Sequence, residues 1–142
     1  MNMHAAQFLA SLNDTYCRLV PTTHGVGVRA IRPIPKGVDP FKNCDPFGST
    51  LLVPERELEA APVPESAKEL VRDYCTVHDG MYHVPSYGID AIDKSYFLNH
   101  SETPNLETPN HGETFIAARD IAEGEELTAD YATYGQPTTF EG

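Results

Sequence analysis

The sequence predicts a mainly β protein with short helices, an α+β arrangement in a single domain, on three observations. Twelve prolines and ten glycines in 142 residues interrupt the chain too often for long helices. The apolar stretches are short and closed by turn residues, as where Gly25-Val26-Gly27-Val28-Arg29-Ala30-Ile31 runs into Pro33-Ile34-Pro35-Lys36-Gly37. The best helical candidate, Glu65 to Tyr74, is short, with Leu70, Val71 and Tyr74 on one face. An all-helical bundle does not fit this pattern. The length suits one domain that buries roughly two-thirds of its unfolded surface.

Along the chain, residues Ala5 to Arg18 mix helical and extended tendencies, and Tyr16 to Val20 is a candidate first strand. A turn at Thr22-Thr23-His24 leads into the strand from Gly25 to Ile31. From Phe41 to Asp79 the texture changes: Pro54-Glu55-Arg56-Glu57-Leu58 reads as a helical turn and Glu65–Tyr74 as a helix. Residues 41–79 are therefore expected to form an insert between two β-rich halves. The second half predicts short strands at Tyr82-His83-Val84 and Gly88-Ile89-Asp90. Tyr96 to His100 is expected to continue that pattern, and Thr114 to Arg119 to form a strand after a polar loop. Two segments share an Arg-x-Ile-x-x-Gly grammar, Arg32 to Gly37 and Arg119 to Gly124, and each is expected to end a strand in a tight turn.

Ten Lys and Arg face 21 Asp and Glu, a formal charge of −11. That field repels phosphate backbones, and no basic cluster overrides it, so direct nucleic-acid binding is not expected. An acidic surface favours basic partners, such as a lysine-rich protein or peptide. Cys17, Cys44 and Cys75 are odd in number and far apart. They fit small buried thiols in a reducing compartment, with no disulfide framework and no cysteine zinc site. The N-terminal residues carry neither a basic stretch nor a sustained apolar run, and no segment reaches membrane-spanning length. The expectation is a soluble intracellular protein, cytoplasmic or nuclear.

Three segments carry chemistry. Gly25-Val26-Gly27-Val28 has glycines at alternate positions, which let backbone approach a ligand closely. Asn99-His100-Ser101-Glu102-Thr103-Pro104-Asn105 offers amide and imidazole groups suited to a polar cofactor, with Pro104-Asn105 fixing a turn. Gly124-Glu125-Glu126-Leu127-Thr128-Ala129-Asp130-Tyr131 is a turn leading into a short strand that ends on Asp-Tyr. Each alone is weak, since a plain turn, a satisfied histidine or a core tyrosine would serve as well.

Together, in this order and spacing, the three segments resemble the SET-domain protein lysine methyltransferases. The family carries an early Gly-x-Gly, an Arg-Phe-x-Asn-His-Ser-Cys-x-Pro-Asn block and a closing Gly-Glu-Glu-Leu-Thr-x-Asp-Tyr block. The closing block is matched throughout, and the middle one at Phe97, Asn99, His100, Ser101, Pro104 and Asn105. Ile34-Pro35-Lys36-Gly37 and Ile89-Asp90-Ala91 are secondary matches, so the resemblance spans about residues 20–135. It implies a β-clip fold of small curved sheets with a C-terminal pseudoknot. It also implies S-adenosylmethionine on one face and a lysine entering from the other through a narrow channel.

On that resemblance, Gly25, Val26, Gly27 and Val28 hold the cofactor with Tyr96, Phe97, Asn99 and His100, while Tyr131 orients the reacting groups. Tyr82, Tyr87, Ala129 and Tyr134 are candidate channel walls. Tyr96 stands where the family often has arginine, and Glu102 replaces a cysteine that in many relatives joins a zinc cluster with C-terminal cysteines. The tail, residues 134–142, has no cysteine, so a metal-free minimal SET domain is expected. Phe140 is a candidate to fold over the cofactor or the channel. Rival readings are a catalytically weak SET-like domain that binds a basic peptide, a pure interaction module, and a metal hydrolase. The last would use His78, His83, His100 and His111, whose spacing matches no HxxxH or HExxH ligand pattern.

Overall fold

The computed structural model describes residues 4–44, 50–86 and 88–134. Among the described residues three α-helices, α1 (Ala5–Ser11), α2 (Glu55–Ala60) and α3 (Glu65–Tyr74), accompany nine short strands. In chain order these are β1 (Cys17–Thr22), β2 (Gly25–Ala30), β3 (Thr50–Pro54), β4 (Thr76–His78) and β5 (Met81–Pro85). The second half adds β6 (Asn99–His100), β7 (Leu106–Glu107), β8 (Ile116–Ala117) and β9 (Glu126–Ala129).

The strands form three small sheets, ordered β1-β2-β9-β6, β3-β5-β4 and β7-β8. β1 and β2 are an antiparallel hairpin running from Cys17↔Ala30 to Thr22↔Gly25. Its turn is closed by Thr22, whose hydroxyl donates to the Gly25 carbonyl (2.8 Å) and accepts the His24 N–H (3.1 Å). β9 pairs with β2 antiparallel, at Val28↔Leu127, and with β6 parallel, at Asn99↔Thr128. The C-terminal strand is therefore clasped between the two other motif segments. Side chains on one face of this sheet, among them Val28, Leu127 and Ala129, are almost fully buried. Ile34, Leu98, Leu106 and Ile121 complete much of the core around them.

The two Arg-x-Ile segments meet. Ile34 and Ile121 form an antiparallel bridge with reciprocal N–H···O bonds of 2.8 and 2.9 Å, and both side chains are buried. Each segment turns at a glycine of positive φ, Gly37 at 87° and Gly124 at 90°, where a side chain would be strained.

α3 has the bounds its periodicity predicts. Arg72 on it pairs with Glu59 (2.8 Å) and Glu65 (2.7 Å), and Lys68 Nζ donates to the Glu59 carbonyl at 2.6 Å, which ties α2 to α3. Four expectations need correction. Gly88-Ile89-Asp90 is no strand: Gly88 takes a φ of 103° and Ile89–Ala91 is a 3-10 turn. Tyr96 to His100 is split, because the Asp93 carboxylate caps a 3-10 turn over Lys94–Phe97 and leaves just Asn99–His100 extended. Thr114 to Arg119 is extended in a ladder at Ile116–Ala117 alone, since its partner β7 offers two residues. The region 41–79 contains two strands the sequence did not announce, β3 and β4, both laddered to β5.

Candidate active site

Two neighbouring features make the site, and the segment Leu98-Asn99-His100 links them. The first is a cradle on the open face of the main sheet. Gly27 on β2 lies where a methyl group would stand 2.6 Å from Thr22 Cγ2, 2.7 Å from Glu126 Oε2 and 2.8 Å from Asn99 Nδ2. No other amino acid fits there without displacing those groups. Asn99 is 7% exposed, and its Nδ2 donates to Glu126 Oε2 at 2.7 Å and to Thr22 Oγ1 at 3.4 Å. Val28 points into the core, Val26 is exposed, and Gly25 turns the hairpin at φ 96°.

The second feature is a cavity of about 100 Å³ where the main sheet faces the β3-β5-β4 sheet. Tyr131, Tyr134, Phe115 and Leu98 form its apolar side. Tyr131, 3% exposed, follows directly from β9 and is fixed from both ends. Its hydroxyl donates to the Leu98 carbonyl at 2.5 Å, and its backbone N–H donates to His100 Nδ1 at 3.1 Å. Because the phenol proton goes to Leu98, the oxygen's remaining lone pairs are left as acceptors. Burial, with lesser contributions from Glu126 and Tyr74, raises the Tyr131 pKa, so the hydroxyl keeps its proton at neutral pH. Burial likewise pushes Tyr134 up. The rings pack edge to face, Tyr131 on Tyr134 at 5.8 Å and Tyr134 on Phe115 at 5.2 Å.

The opposite side of the cavity is polar, with Thr50, Thr76, His83, Asp93, Ser95 and Glu113. His83 Nδ1 is buried 3.3 Å from Glu113 Oε1 and lacks a geometrically sound hydrogen bond. The cavity shares Thr50, Asp93, Ser95, Glu113 and Phe115 with a wider groove of about 450 Å³ that adds Asp39 and Lys42, whose Nζ pairs with Asp14 at 2.9 Å. Three carboxylates thus outnumber one lysine at its mouth, which is acidic on balance.

The residues expected from the sequence separate in an instructive way. Gly25, Gly27 and Asn99 meet at the cradle; Tyr131 and Tyr134 meet in the cavity. Tyr96, expected beside the cofactor, is among the residues lining the cavity. Phe97 packs on Tyr74 at 5.5 Å. The His100 side chain fastens Tyr131 and packs against its ring, tilted at 57° with centroids 5.1 Å apart, and its Nδ1 is an acceptor engaged within the protein. Tyr82 is buried in β5, and neither it nor Ala129 is among the residues lining the cavity. Tyr87 and Phe140 lie outside the described residues. Thr50, Tyr74, His83, Asp93, Glu113 and Phe115 were missed. They come from separated segments with no shared motif, and an apolar run at Thr50–Pro54 was the sole hint of β3.

Among the described residues no group of three or more His, Cys, Asp or Glu side chains is placed to hold a metal ion. No helix among them is long and apolar enough to cross a membrane.

The fold and the two linked features define a class: the SET-domain family pattern matches residues 25–132, and the chain belongs to that family. Among solved structures, a complex described as ctPRC2 in an autoinhibited conformation bound to S-adenosylmethionine aligns with a TM-score of 0.59 at 20% identity. That alignment covers 88% of this chain and 16% of the other. A candidate histone methyltransferase of Plasmodium falciparum aligns at 18% identity and a TM-score of 0.48, covering 82% of this chain and 93% of that one. No curated protein sequence matches significantly.

Proposed function

We propose that this SET domain transfers a methyl group from S-adenosylmethionine to the side-chain amine of a lysine in a basic protein or peptide. The observation that carries this reading is the Tyr131 hydroxyl. It is fixed in a small aromatic cavity by the carbonyl of Leu98, the residue next to Asn99 of the cradle. Family membership and a solved neighbour bound to S-adenosylmethionine support the choice of methyl donor.

The cradle fits that donor on chemical grounds. Gly27 lets Thr22, Glu126 and Asn99 close against β2, the backbone of Gly25 to Val28 offers peptide groups, and Asn99 offers a side-chain amide. Peptide groups of Phe97 and His100, flanking Asn99, are further candidates to hold it. Bound there, S-adenosylmethionine supplies a methyl group on a positively charged sulfur, open to a neutral amine. The remaining work falls to the chain. Asp39, Asp93 and Glu113 at the mouth attract a protonated lysine. Past them, Phe115, Tyr134 and Leu98 strip water from the amine, which disfavours its charged form and promotes proton loss to solvent. The Tyr131 oxygen then accepts an N–H from the neutral amine and aims its lone pair, a positioning effect. Tyr96 and Tyr134 are the channel walls that this arrangement favours. The same reading takes residues 20–135 as the domain's core and 41–79 as an insert supplying Thr50, Tyr74 and Thr76 to the cavity.

Mass spectrometry of lysine-rich peptides incubated with the protein and S-adenosylmethionine tests the reading. The expected result is methylation confined to lysine side chains, faster on peptides with basic flanks. Methyl transfer to another residue type, or none to any peptide or basic protein, would overturn it.

A further inference from the structure

Resting on the methyl-transfer reading, we infer that His83 is a catalytic residue, whose Nε2 accepts a proton from the lysine ammonium inside the cavity. His83 stands at the centre of β5, in register with Leu52 on β3 and Thr76 on β4. His83 and Thr76 both line the cavity, across from the apolar side that carries Tyr131. The two ring nitrogens of His83 differ. Nδ1 is buried without a hydrogen bond, 3.3 Å from Glu113 Oε1, an obligate acceptor. The Glu113 side chain is 47% exposed, so a small turn of its carboxylate aligns the contact. That neighbour draws the neutral ring's proton to Nδ1 and leaves Nε2 as the acceptor. Nε2 makes no hydrogen bond with any described residue, and it is not sealed from open space as Nδ1 is.

The titratable groups that share the cavity with His83 are Asp93, Glu113, Tyr74, Tyr96, Tyr131 and Tyr134. Carboxylates as a class are too weak as bases, and phenols too weak as acids, to pass on an amine's proton at neutral pH. Imidazole does both. No lysine or arginine is among the described residues lining the cavity, and Lys42 in the wider groove is paired with Asp14. His78 and His111 stack on each other at 4.0 Å and are not among the lining residues. The step balances. An N–H bond of the ammonium breaks as one forms at Nε2, giving an imidazolium beside Glu113 and a neutral amine with a free lone pair. That lone pair bonds to the methyl carbon while the carbon–sulfur pair returns to sulfur. The imidazolium then releases its proton to water in the wider groove, which Glu113 also lines.

Single-turnover methyl transfer to a lysine peptide, followed from about pH 7 to about pH 9, tests this with His83→Gln and His83→Ala. Glutamine keeps polar bulk but takes no proton. Both variants are expected to lose about 100-fold in rate at the neutral end, within the range that general bases supply. The deficit is expected to narrow toward the alkaline end, where solvent alone leaves more of the amine neutral. Added imidazole is expected to raise the neutral rate of His83→Ala by about tenfold or more and to leave wild type unchanged, which a merely structural role would not produce. Nitrogen-15 spectra of the free wild-type protein are expected to show the neutral His83 ring protonated on Nδ1. A His83→Gln rate within about twofold of wild type at neutral pH would overturn the inference. So would a deficit that is constant with pH and unmoved by imidazole, or a neutral ring protonated on Nε2. Should the melting temperature show His83→Ala unfolded, the His83→Gln profile and the spectra decide. Wild-type protein that methylates no peptide at any pH would sink the methyl-transfer reading itself, a failure distinct from these.

Discussion

Gly27 is the residue whose identity the structure constrains most tightly. A single added carbon meets three side chains at 2.6–2.8 Å, and all three, Thr22, Asn99 and Glu126, stand on strands of the sheet that builds the cradle. Gly27→Ala is therefore expected to displace Asn99 and Glu126, to cost about 1–3 kcal/mol of stability through overpacking, and to abolish measurable S-adenosylhomocysteine binding. Thermal melting and calorimetry on one preparation check both effects; unchanged affinity would place the donor elsewhere. The residues of this cradle were legible in the sequence because they sit in contiguous blocks with a fixed spacing. Glu126 was visible in its block as an acid ahead of a strand, but its partner was not, since Asn99 lies 27 positions away. His83 and Glu113 were illegible for a related reason. Each is an ordinary polar residue until two sheets bring them together around Tyr131.

Among the elements, β9 depends on support from its neighbours more than on its own length of four residues. Asn105 supplies much of that support: its Nδ2 donates to the Glu126 carbonyl at 2.8 Å, and its Oδ1 accepts the Thr128 N–H at 2.9 Å. The side-chain amide thus imitates a strand partner, and it is buried while doing so. Asn105→Ala leaves a backbone donor and an acceptor of β9 unsatisfied. The expected loss is about 1–3 kcal/mol, read by chemical denaturation, with Asn105→Asp recovering at most the Thr128 bond. Stability within experimental error of wild type would show that β9 is held by its strands alone. The helix Glu65–Tyr74 was readable because periodicity is a local property. β6 and β8 came out shorter than their apolar runs suggested, because partner length and a competing Asp93 cap decide where a ladder stops. Such facts belong to the fold and not to the segment.

Across the whole molecule, two sheets meet at an aromatic cavity with an acidic mouth, and the buried thiols report on the integrity of that packing. Burial pushes Cys17 up to about 11 and Cys75 up to about 12, from 9.0. A thiol raised on folding contributes stability that is complete below pH 9.0 and is lost as pH climbs toward the folded values. The melting temperature is expected to hold to about that pH and then fall, with Cys75→Ala reducing the slope; a flat profile through pH 11 would contradict the buried assignment. The outline of the fold was legible from proline and glycine frequency, short runs and three motif blocks. The meeting of the β3-β5-β4 sheet with Tyr131 was not, because nothing in a short edge strand such as Thr50–Pro54 encodes what it will face. That meeting is what turns a buried tyrosine into a candidate catalytic group, and Tyr131→Phe tests it most directly. The substitution removes one hydroxyl, keeps the ring against Tyr134 and His100, and leaves the cradle untouched. The measurement is single-turnover methyl transfer to a lysine peptide, beside S-adenosylhomocysteine affinity and melting temperature. The expected result is a rate lower by about 100-fold with affinity nearly unchanged, because the hydroxyl acts on the transition state and not on the bound donor. A variant that folds, binds and methylates as fast as wild type would contradict the role of Tyr131 and the mechanism built on it.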